Sequence, residues 1–483
     1  MKVEQLYTGC LAEAAYYIES EGEAVIIDPL RETQPYMDKL EKEGSTLKYI
    51  FETHFHADFV SGHLDLAQKT GATIVYGPNA GAAYEVYEAK DGEELKLGKV
   101  SFKILHTPGH TMESTTYLLK DEEGNDHAIF TGDTLFLGDV GRPDLAIKQG
   151  EITREDLAGF LFDSLRNKIM PLADELIVYP AHGAGSACGK NLSTDTWGYL
   201  GEQKKTNYAL RADMTKAEFI QEVTAGLMPA PQYFAKNAMM NKSGYQSFDQ
   251  VLKQGAVALS PEAFEELVEG QGALVLDTRS EDAFREGHIP NSIFIGLEGN
   301  FAPWVGALII DIHQPIVFLA EEGKHEEVVT RLARVGYDNT LGYLVDGIAA
   351  WKAAGKEIDS VESISVDELA TRMANGEVKT ILDVRKPTEF LAQHVEGAQN
   401  FPLDYISGNM NRLNRAETYY LYCLGGYRSM ITASILKSRG FHQVIDIQKG
   451  WNEIEASNTP ITAHVCPTSM SQEMIDRAVA EVV

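Results

Sequence analysis

The chain has 483 residues, enough for about three domains, and 44% of them are hydrophobic, enough for each domain to bury its own core. Its 42 basic residues face 71 acidic ones, and the resulting net charge of −29 excludes broad nucleic-acid and membrane roles. Four scattered cysteines exclude a disulfide framework and indicate a reducing compartment.

The first twenty residues carry acids inside their apolar stretch, so they do not form a signal peptide, and no window of about 18 apolar residues exists to span a bilayer. A cytoplasmic protein is therefore expected.

Up to about residue 185, short β-branched runs alternate with amphipathic stretches, which predicts an α/β domain. The predicted strands are 24–28, 47–53, 73–76, 100–106, 127–133 and 175–180. Residues 186–260 predict helices and a connector, and the first domain is expected to span 1–250.

Potential metal ligands recur directly after these predicted strands. They are His54, His56, Asp58, His110, Asp133 and His182. A two-residue spacing places the first three on one face if their strand continues. One histidine at a strand end is usually a core or capping residue, but recurrence within one domain favours a metal site.

This set resembles the metallo-β-lactamase fold family, which implies an αββα sandwich. The family's histidine directly after the first aspartate is Phe59 here, which removes a second-site ligand and favours a mononuclear centre. Within the family the sequence is most similar to the persulfide dioxygenases. That resemblance implies one Fe(II) per chain, held by His54, His110 and Asp133, with His56, Asp58 and His182 around these ligands. Two imidazoles and one carboxylate leave open positions for a substrate sulfur and O2.

Two further residues lie close to these motifs. Arg142, in a loop that resembles the family's Gly-Arg segment, either binds the carboxylate of a thiol cofactor or is solvated. Cys188 follows His182 by six residues and either approaches the metal pocket or, as the more common case, is a small buried thiol. Cys10 and Cys466 have no local motif and are interpreted as packed or inert thiols.

The rest of the chain contains an internal repeat with an offset of 106 positions. Asp277, Arg279, Phe284 and His288 recur as Asp383, Arg385, Phe390 and His394. The repeat predicts two similar α/β domains at 255–357 and 360–465, followed by a tail at 466–483.

In the second copy, a buried strand leads through Cys423 and a glycine loop into a helix. Such a loop points backbone N–H groups inward, which forms an anion cradle and activates a thiol. A structural cysteine is the alternative. The loop resembles the Cys-x-x-Gly-x-Arg pattern of the rhodanese family, with four residues between Cys423 and Arg428 where phosphatase relatives have five. The resemblance implies sulfur transfer with Cys423 and Arg428 as catalytic residues. The expected substrate-binding residues are Leu424, Gly425, Gly426 and Tyr427.

The first copy has no cysteine, and its position aligned with Cys423 is near Leu319, so an inactive rhodanese-homology domain is expected. The domain order resembles a persulfide dioxygenase and sulfurtransferase fusion. This implies that a glutathione, coenzyme A or similar persulfide reacts with O2 to give sulfite and thiol, and that sulfite combines with a Cys423 persulfide to give thiosulfate. Further copies of the chain are the expected protein partners. The alternatives are a zinc thioester hydrolase of the glyoxalase II type fused to a sulfurtransferase, and a sulfur carrier without catalytic activity.

Overall fold

The computed structural model describes residues 1–147, 151–190, 192–227, 229–466, 470 and 472–482, which form two compact units. The first unit comprises Met1–Val251 and Thr330–Asp338. Within the described residues it has two six-stranded sheets, ordered β1-β2-β3-β4-β5-β6 and β12-β11-β10-β9-β8-β7.

The strands of the first sheet are β1 (Lys2–Thr8), β2 (Glu13–Ser20), β3 (Glu23–Ile27), β4 (Thr46–Phe51), β5 (Thr73–Tyr76) and β6 (Tyr87–Glu88). Those of the second are β7 (Glu94–Leu97), β8 (Val100–His106), β9 (Thr115–Lys120), β10 (Asp126–Gly132), β11 (Ile177–Pro180) and β12 (Gly198–Tyr199). The helices are α1 (Gln34–Glu43), α2 (His63–Thr70), α3 (Arg154–Ser164), α4 (Leu200–Thr206), α5 (Lys216–Thr224), α6 (Phe234–Ser243) and α7 (Phe248–Gly255).

Both faces of the central strands are apolar because both faces are covered. In β2, Tyr16 and Ile18 point into the core between the sheets, while Ala15 and Tyr17 point toward α1 and α2. The second sheet packs its other face against α3, α4 and α5. This arrangement confirms the predicted αββα sandwich.

The strand β4 ends at Phe51, two residues before the predicted end. His54, His56 and Asp58 therefore lie in the loop between β4 and α2, and the alternation expected of a continuing strand does not apply to them.

The second unit comprises Leu252–Val329 and Asn339–Val483 and, in its described part, has two parallel five-stranded sheets. The strands are β13 (Ala258–Leu259), β14 (Leu274–Asp277), β15 (Ile293–Phe294), β16 (Ile316–Leu319), β17 (Thr340–Leu344), β18 (Glu362–Ile364), β19 (Thr380–Asp383), β20 (Gln399–Asn400), β21 (Tyr419–Tyr422) and β22 (Val444–Ile447). The helices are α8 (Pro261–Gln271), α9 (Glu281–Glu286), α10 (Phe301–Leu308), α11 (His325–Arg334), α12 (Gly347–Ala353), α13 (Val366–Ala374), α14 (Pro387–Ala392), α15 (Ile406–Asn409), α16 (Tyr427–Ser438), α17 (Trp451–Ile454) and α18 (Gln472–Val482).

The two sheets have the same strand order, β13-β17-β16-β14-β15 and β18-β22-β21-β19-β20, which confirms the repeated fold. Their registers also correspond, because Asp277 is opposite Leu319 in the first copy and Asp383 is opposite Tyr422 in the second. The counterpart of Cys423 is therefore Ala320, one residue after the predicted position. Among the described residues, none of the helices has the length and apolar character needed to cross a bilayer.

Candidate metal centre and cysteine loop

The candidate metal ligands of the first unit all follow strand ends. His54 comes after β4 of the first sheet, whereas His110, Asp133 and His182 follow β8, β10 and β11 of the second sheet. Each of these four side chains is at most 2% exposed. The two sheets thus bring ligands from distant parts of the sequence to one buried cluster.

His54, His110 and Asp133 form the first group that can hold a metal, since their ligand atoms lie within 4.8 Å of one another. The Nε2 atoms of His54 and His110 are 3.9 and 3.4 Å from Oδ2 of Asp133. These three residues are the ligands that the resemblance implied.

Hydrogen bonds on the far side of each ring fix the tautomers of these histidines. Nδ1 of His110 is 2.9 Å from the carbonyl oxygen of Arg142, which can only accept, so Nδ1 donates and Nε2 presents its lone pair. Thr53 donates its hydroxyl proton to Asp28 at 2.8 Å and therefore accepts from Nδ1 of His54 at 2.9 Å. Both rings are oriented as metal-binding histidines are.

The carboxylate of Asp133 fits a cation. Neither of its oxygens has a hydrogen-bond partner in the described part of the chain, although the side chain is buried. Burial, together with His56 and His110, holds the pKa of His54 well below its ordinary value, so this ring is neutral. A buried carboxylate that faces imidazole lone pairs is unfavourable unless a cation lies between them.

His56, Asp58 and His182 form a second group around the first. Nε2 of His182 is 3.3 Å from Oδ2 of Asp58. His56 lies with Nε2 3.1 Å from Oδ1 of Asp28 and 3.6 Å from Oε2 of Glu52. Burial favours its neutral form, but these carboxylates outweigh burial and raise the pKa of His56 to about 9.

Phe59 is fully buried, and its ring centroid lies 4.3 Å from that of His56. Cys188 is also buried and lies within the cluster, because its sulfur belongs to a group with Asp133 and His182. Burial raises the pKa of Cys188 well above its ordinary value, and the carboxylates of Asp58 and Asp133 reinforce this shift. The two interpretations of Cys188 left open by the sequence therefore both hold: the thiol is buried, and it is at the metal pocket.

Arg142 is positioned differently from what its predicted role requires. Its Nε and Nη2 atoms donate to the two oxygens of Asp144 at 2.7 and 2.8 Å, and Nη1 donates to the carbonyl of Ala187 at 3.2 Å. Arg142 is 5% exposed, and its guanidinium connects the loop that contains Asp144 with the loop that contains Ala187. Binding a substrate carboxylate through Arg142 remains a prediction that requires Asp144 to give way.

Cys423 follows β21 directly and is 1% exposed. The N–H of Gly426, at a φ of +114° that favours glycine, donates to its sulfur at 3.1 Å. The sulfur lies 3.7 Å from the hydroxyl of Ser429, which donates to the buried carboxylate of Asp446 at 2.7 Å. The loop thus supplies a backbone donor to the thiol, while Leu424 beside it is 46% exposed.

The last two side chains of the loop, those of Tyr427 and Arg428, both form hydrogen bonds within the protein. Arg428 forms a bidentate ion pair with Glu389 at 2.7 and 2.8 Å. Tyr427 donates its hydroxyl to the carbonyl of Gly296, in the first copy of the repeat, at 2.7 Å. Arg428 therefore holds the loop against α14 in addition to any contact with a substrate.

Sequence reasoning missed the supporting residues of both sites, namely Asp28, Thr53, Glu389, Ser429 and Asp446. Asp28 gave one signal, since it ends an apolar run directly before a proline. Its φ of +51° is unusual for aspartate and turns the carboxylate toward Thr53.

Comparison with known proteins identifies the families that the two parts of the chain resemble. Residues 8–182 match the sequence model of the Metallo-beta-lactamase superfamily, and residues 260–354 and 365–457 match that of the Rhodanese-like domain. The human mitochondrial persulfide dioxygenase ETHE1 is 34% identical over 163 residues, which cover 33% of this chain and 59% of the human protein. The hydroxyacylglutathione hydrolase GloC of Haemophilus influenzae is 30% identical over 195 residues, which cover 36% of this chain and 85% of that protein.

A crystal structure of a metallo-beta-lactamase from Staphylococcus aureus superposes with a TM-score of 0.62 at 31% identity. It covers 71% of this chain and 98% of the other one. Since the first unit contains little more than half of the chain, the likeness extends beyond that unit.

A substitution at Gly141 tests the first group. A Cβ there lies 2.1 Å from the main-chain oxygen of Asp133 and 2.9 Å from Nδ1 of His110, so both ligands must shift. We expect Gly141→Ala to weaken metal retention on dialysis by at least about tenfold, as loss of supporting contacts does. Gly9→Ala is the matched control, because its Cβ meets nothing within 4 Å. Equal metal content in the two variants contradicts the assignment.

Proposed function

Because the chain belongs to the metallo-beta-lactamase superfamily and continues into two rhodanese-like domains, we propose that it oxidises a low-molecular-weight thiol persulfide and converts the product to thiosulfate. In the first step the persulfide, O2 and water give the thiol and sulfite. In the second step sulfite receives a sulfur atom from Cys423. The proposed setting is the detoxification of sulfide in the cytoplasm.

The observation that carries the first step is the first group of ligands. His54, His110 and Asp133 offer two imidazole lone pairs and one carboxylate to one Fe(II), and Phe59 offers nothing to a second ion. Fe(II) held in this way supplies O2 chemistry, which zinc does not. Thr53 and the carbonyl of Arg142 keep the two rings in the ligating tautomer. All three ligand side chains are buried.

The observation that carries the second step is the N–H of Gly426 at the sulfur of Cys423. The Cys423 thiolate attacks the outer sulfur of a second persulfide, forms a new S–S bond and releases the thiol. The sulfur lone pair of sulfite then attacks the outer sulfur of the Cys423 persulfide. The S–S bond to Cys423 breaks, thiosulfate leaves, and the thiolate is restored.

The first copy of the repeat takes no chemical part in this scheme. Ala320 stands at the position of Cys423, and Glu321 and Glu322 follow where the active loop has Leu424 and Gly425. A methyl group cannot carry sulfur, and two carboxylates repel anions. We propose that this copy supports the active loop, which it contacts through the carbonyl of Gly296.

A zinc thioester hydrolase fused to a sulfurtransferase is the second candidate. It is favoured by the similarity to GloC, 85% of whose length is covered. The replacement of a potential second-site ligand by Phe59 counts against it, because two-metal hydrolysis uses both ions as a clamp.

The metal step is tested by His110→Gln in protein purified without oxygen. We expect the wild-type chain to contain iron and to consume O2 when a glutathione or coenzyme A persulfide is added. The variant should lose at least about 100-fold of this uptake, because a ligand is lost outright. His106→Gln is the control, since His106 ends β8 and contacts the carbonyl of Met112 outside the cluster. Thioester hydrolysis by a zinc-loaded chain without persulfide-dependent O2 uptake contradicts the proposal.

The sulfur-transfer step is tested by Cys423→Ser. The serine hydroxyl cannot hold a sulfane sulfur, so the variant should release sulfite where the wild-type chain releases thiosulfate, as measured by ion chromatography of the products. Cys466→Ser, a change at an exposed thiol, is the control and should still give thiosulfate. Unchanged thiosulfate from the Cys423 variant removes this residue from the mechanism.

A further inference from the structure

The hydroxyl of Ser429 lies between the sulfur of Cys423 and a buried carboxylate. The sulfur is 3.7 Å from Oγ of Ser429, and a thiol can donate a weak hydrogen bond to such an oxygen. The hydroxyl of Ser429 donates in turn to Oδ1 of Asp446 at 2.7 Å. All three side chains are at most 1% exposed. A short, buried path of hydrogen bonds therefore connects the thiol to the carboxylate.

This path has a defined direction. A thiol has one proton to donate, a hydroxyl both donates and accepts, and an ionised carboxylate only accepts. The carbonyl of Gly426, 2.9 Å from Oγ of Ser429, is a second acceptor for the hydroxyl proton. A neutral amide oxygen does not take up a proton near neutral pH, whereas a carboxylate can. Asp446 is therefore the end of the path that can receive the proton.

The surroundings of Asp446 favour proton uptake. Burial raises the pKa of Asp446 above its ordinary value, although hydrogen bonds from Ser429 and Ser363 and the charge of Arg285 oppose the shift. Ser363 and Arg285 each lie 3.4 Å from Oδ2, and Arg285 also forms an ion pair with Asp282. A carboxyl group with a raised pKa accepts the proton of a thiol more readily than an ordinary one does.

The other end of the path stabilises the charge that the departing proton leaves behind. The N–H of Gly426 donates to the sulfur of Cys423 at 3.1 Å. The guanidinium of Arg428 interacts electrostatically with the same sulfur. Both groups favour the thiolate. A proton transfer along the path thus moves negative charge from a carboxylate that burial disfavours to a sulfur that has a donor and a cation beside it.

The inactive copy of the repeat lacks all three members of the path. At the positions of the cysteine, the serine and the aspartate it has Ala320, Glu326 and Tyr343. The last assignment follows from the strand registers. Tyr343 of β17 is opposite Phe318 of β16. Asp446 of β22 is opposite Leu421, the counterpart of Phe318 in β21. The serine and the aspartate accompany the cysteine in one copy and are replaced together with it in the other.

We propose that Ser429 and Asp446 form a proton relay that deprotonates Cys423 before its sulfur attacks a persulfide. The S–H bond of Cys423 breaks and its proton moves to Oγ of Ser429, while the hydroxyl proton of Ser429 moves to Oδ1 of Asp446. The sulfur keeps the electron pair, so the step involves no redox change. Ser429 contacts the reacting sulfur, whereas Asp446 acts through Ser429. This inference rests on the proposed sulfur transfer, for which it names the base.

The relay is tested by alkylating Cys423 with iodoacetamide in the full-length protein at a series of pH values, because the thiolate is the form that reacts. Peptide mass spectrometry separates this residue from the other cysteines. Asp446→Asn keeps an oxygen that accepts from Ser429 but cannot take up a proton. We expect the variant to react at least about tenfold more slowly than the wild-type chain near about pH 6. Near about pH 10, where solvent deprotonates the thiol, the two rates should be equal.

The sign of this change distinguishes a relay from other effects of Asp446. Removal of a negative charge near a thiol favours the thiolate, so a purely electrostatic role predicts faster alkylation of the Asp446→Asn variant at low pH. A disturbed fold predicts a change at every pH. The relay predicts a loss of rate that is confined to the acid side of the profile.

Ser429→Ala removes the middle of the path and should reproduce the acid-side loss. Ser438→Ala, on the same helix, and Asp367→Asn, at an exposed carboxylate of the same domain, are the matched controls and should react like the wild-type chain. An unchanged or faster acid-side rate in Asp446→Asn, a loss that is equal at all pH values, or an unchanged rate in Ser429→Ala overturns the relay. Because alkylation needs no sulfur transfer, the relay can fail while Cys423 still forms thiosulfate, and the Cys423→Ser experiment decides the proposed function separately.

Discussion

The first unit is organised around the buried carboxylate of Asp133. Its Oδ2 atom faces the lone pairs of His54 and His110, and an uncompensated buried charge of this kind costs about 3–5 kcal/mol. The sandwich supplies the geometry, since strand ends from both sheets meet at this carboxylate. The polypeptide alone leaves the cluster electrostatically incomplete, so metal binding and folding of these loops are thermodynamically coupled.

The sequence predicted the candidate metal ligands better than it predicted the residues that form hydrogen bonds to them. His110 and Asp133 could be found because each follows an apolar run, and the runs are local features. The hydrogen bonds from His54 through Thr53 to Asp28 could not be predicted from the sequence. They depend on the parallel pairing of β3 with β4 and on the left-handed backbone conformation of Asp28. His56 has the spacing of a ligand but turns toward Asp28, since β4 ends before the motif and alternation stops there.

The same contrast holds in the rhodanese-like copies. The repeat predicted two equal sheets because its apolar strands and the pairs Asp277 with Arg279 and Asp383 with Arg385 are short-range patterns. It did not predict that Arg428 pairs with Glu389, which is 39 residues away in sequence. An ion pair between two helices depends on where α14 and α16 lie relative to each other. No local sequence pattern predicts that arrangement.

Under the proposed function, the charges near both sites constrain how anionic sulfur compounds are recognised. Asp144 offsets Arg142, and Glu389 offsets Arg428, so neither guanidinium adds a net positive field in a chain of net charge −29. Attraction must then come from groups that act over short distances, such as the N–H of Gly426 and a bound metal ion. Salt weakens the long-range repulsion between the chain and an anion much more than it weakens a contact at hydrogen-bond distance. Under the proposed function, small sulfur anions are therefore selected by contact, although the overall field of the chain opposes them.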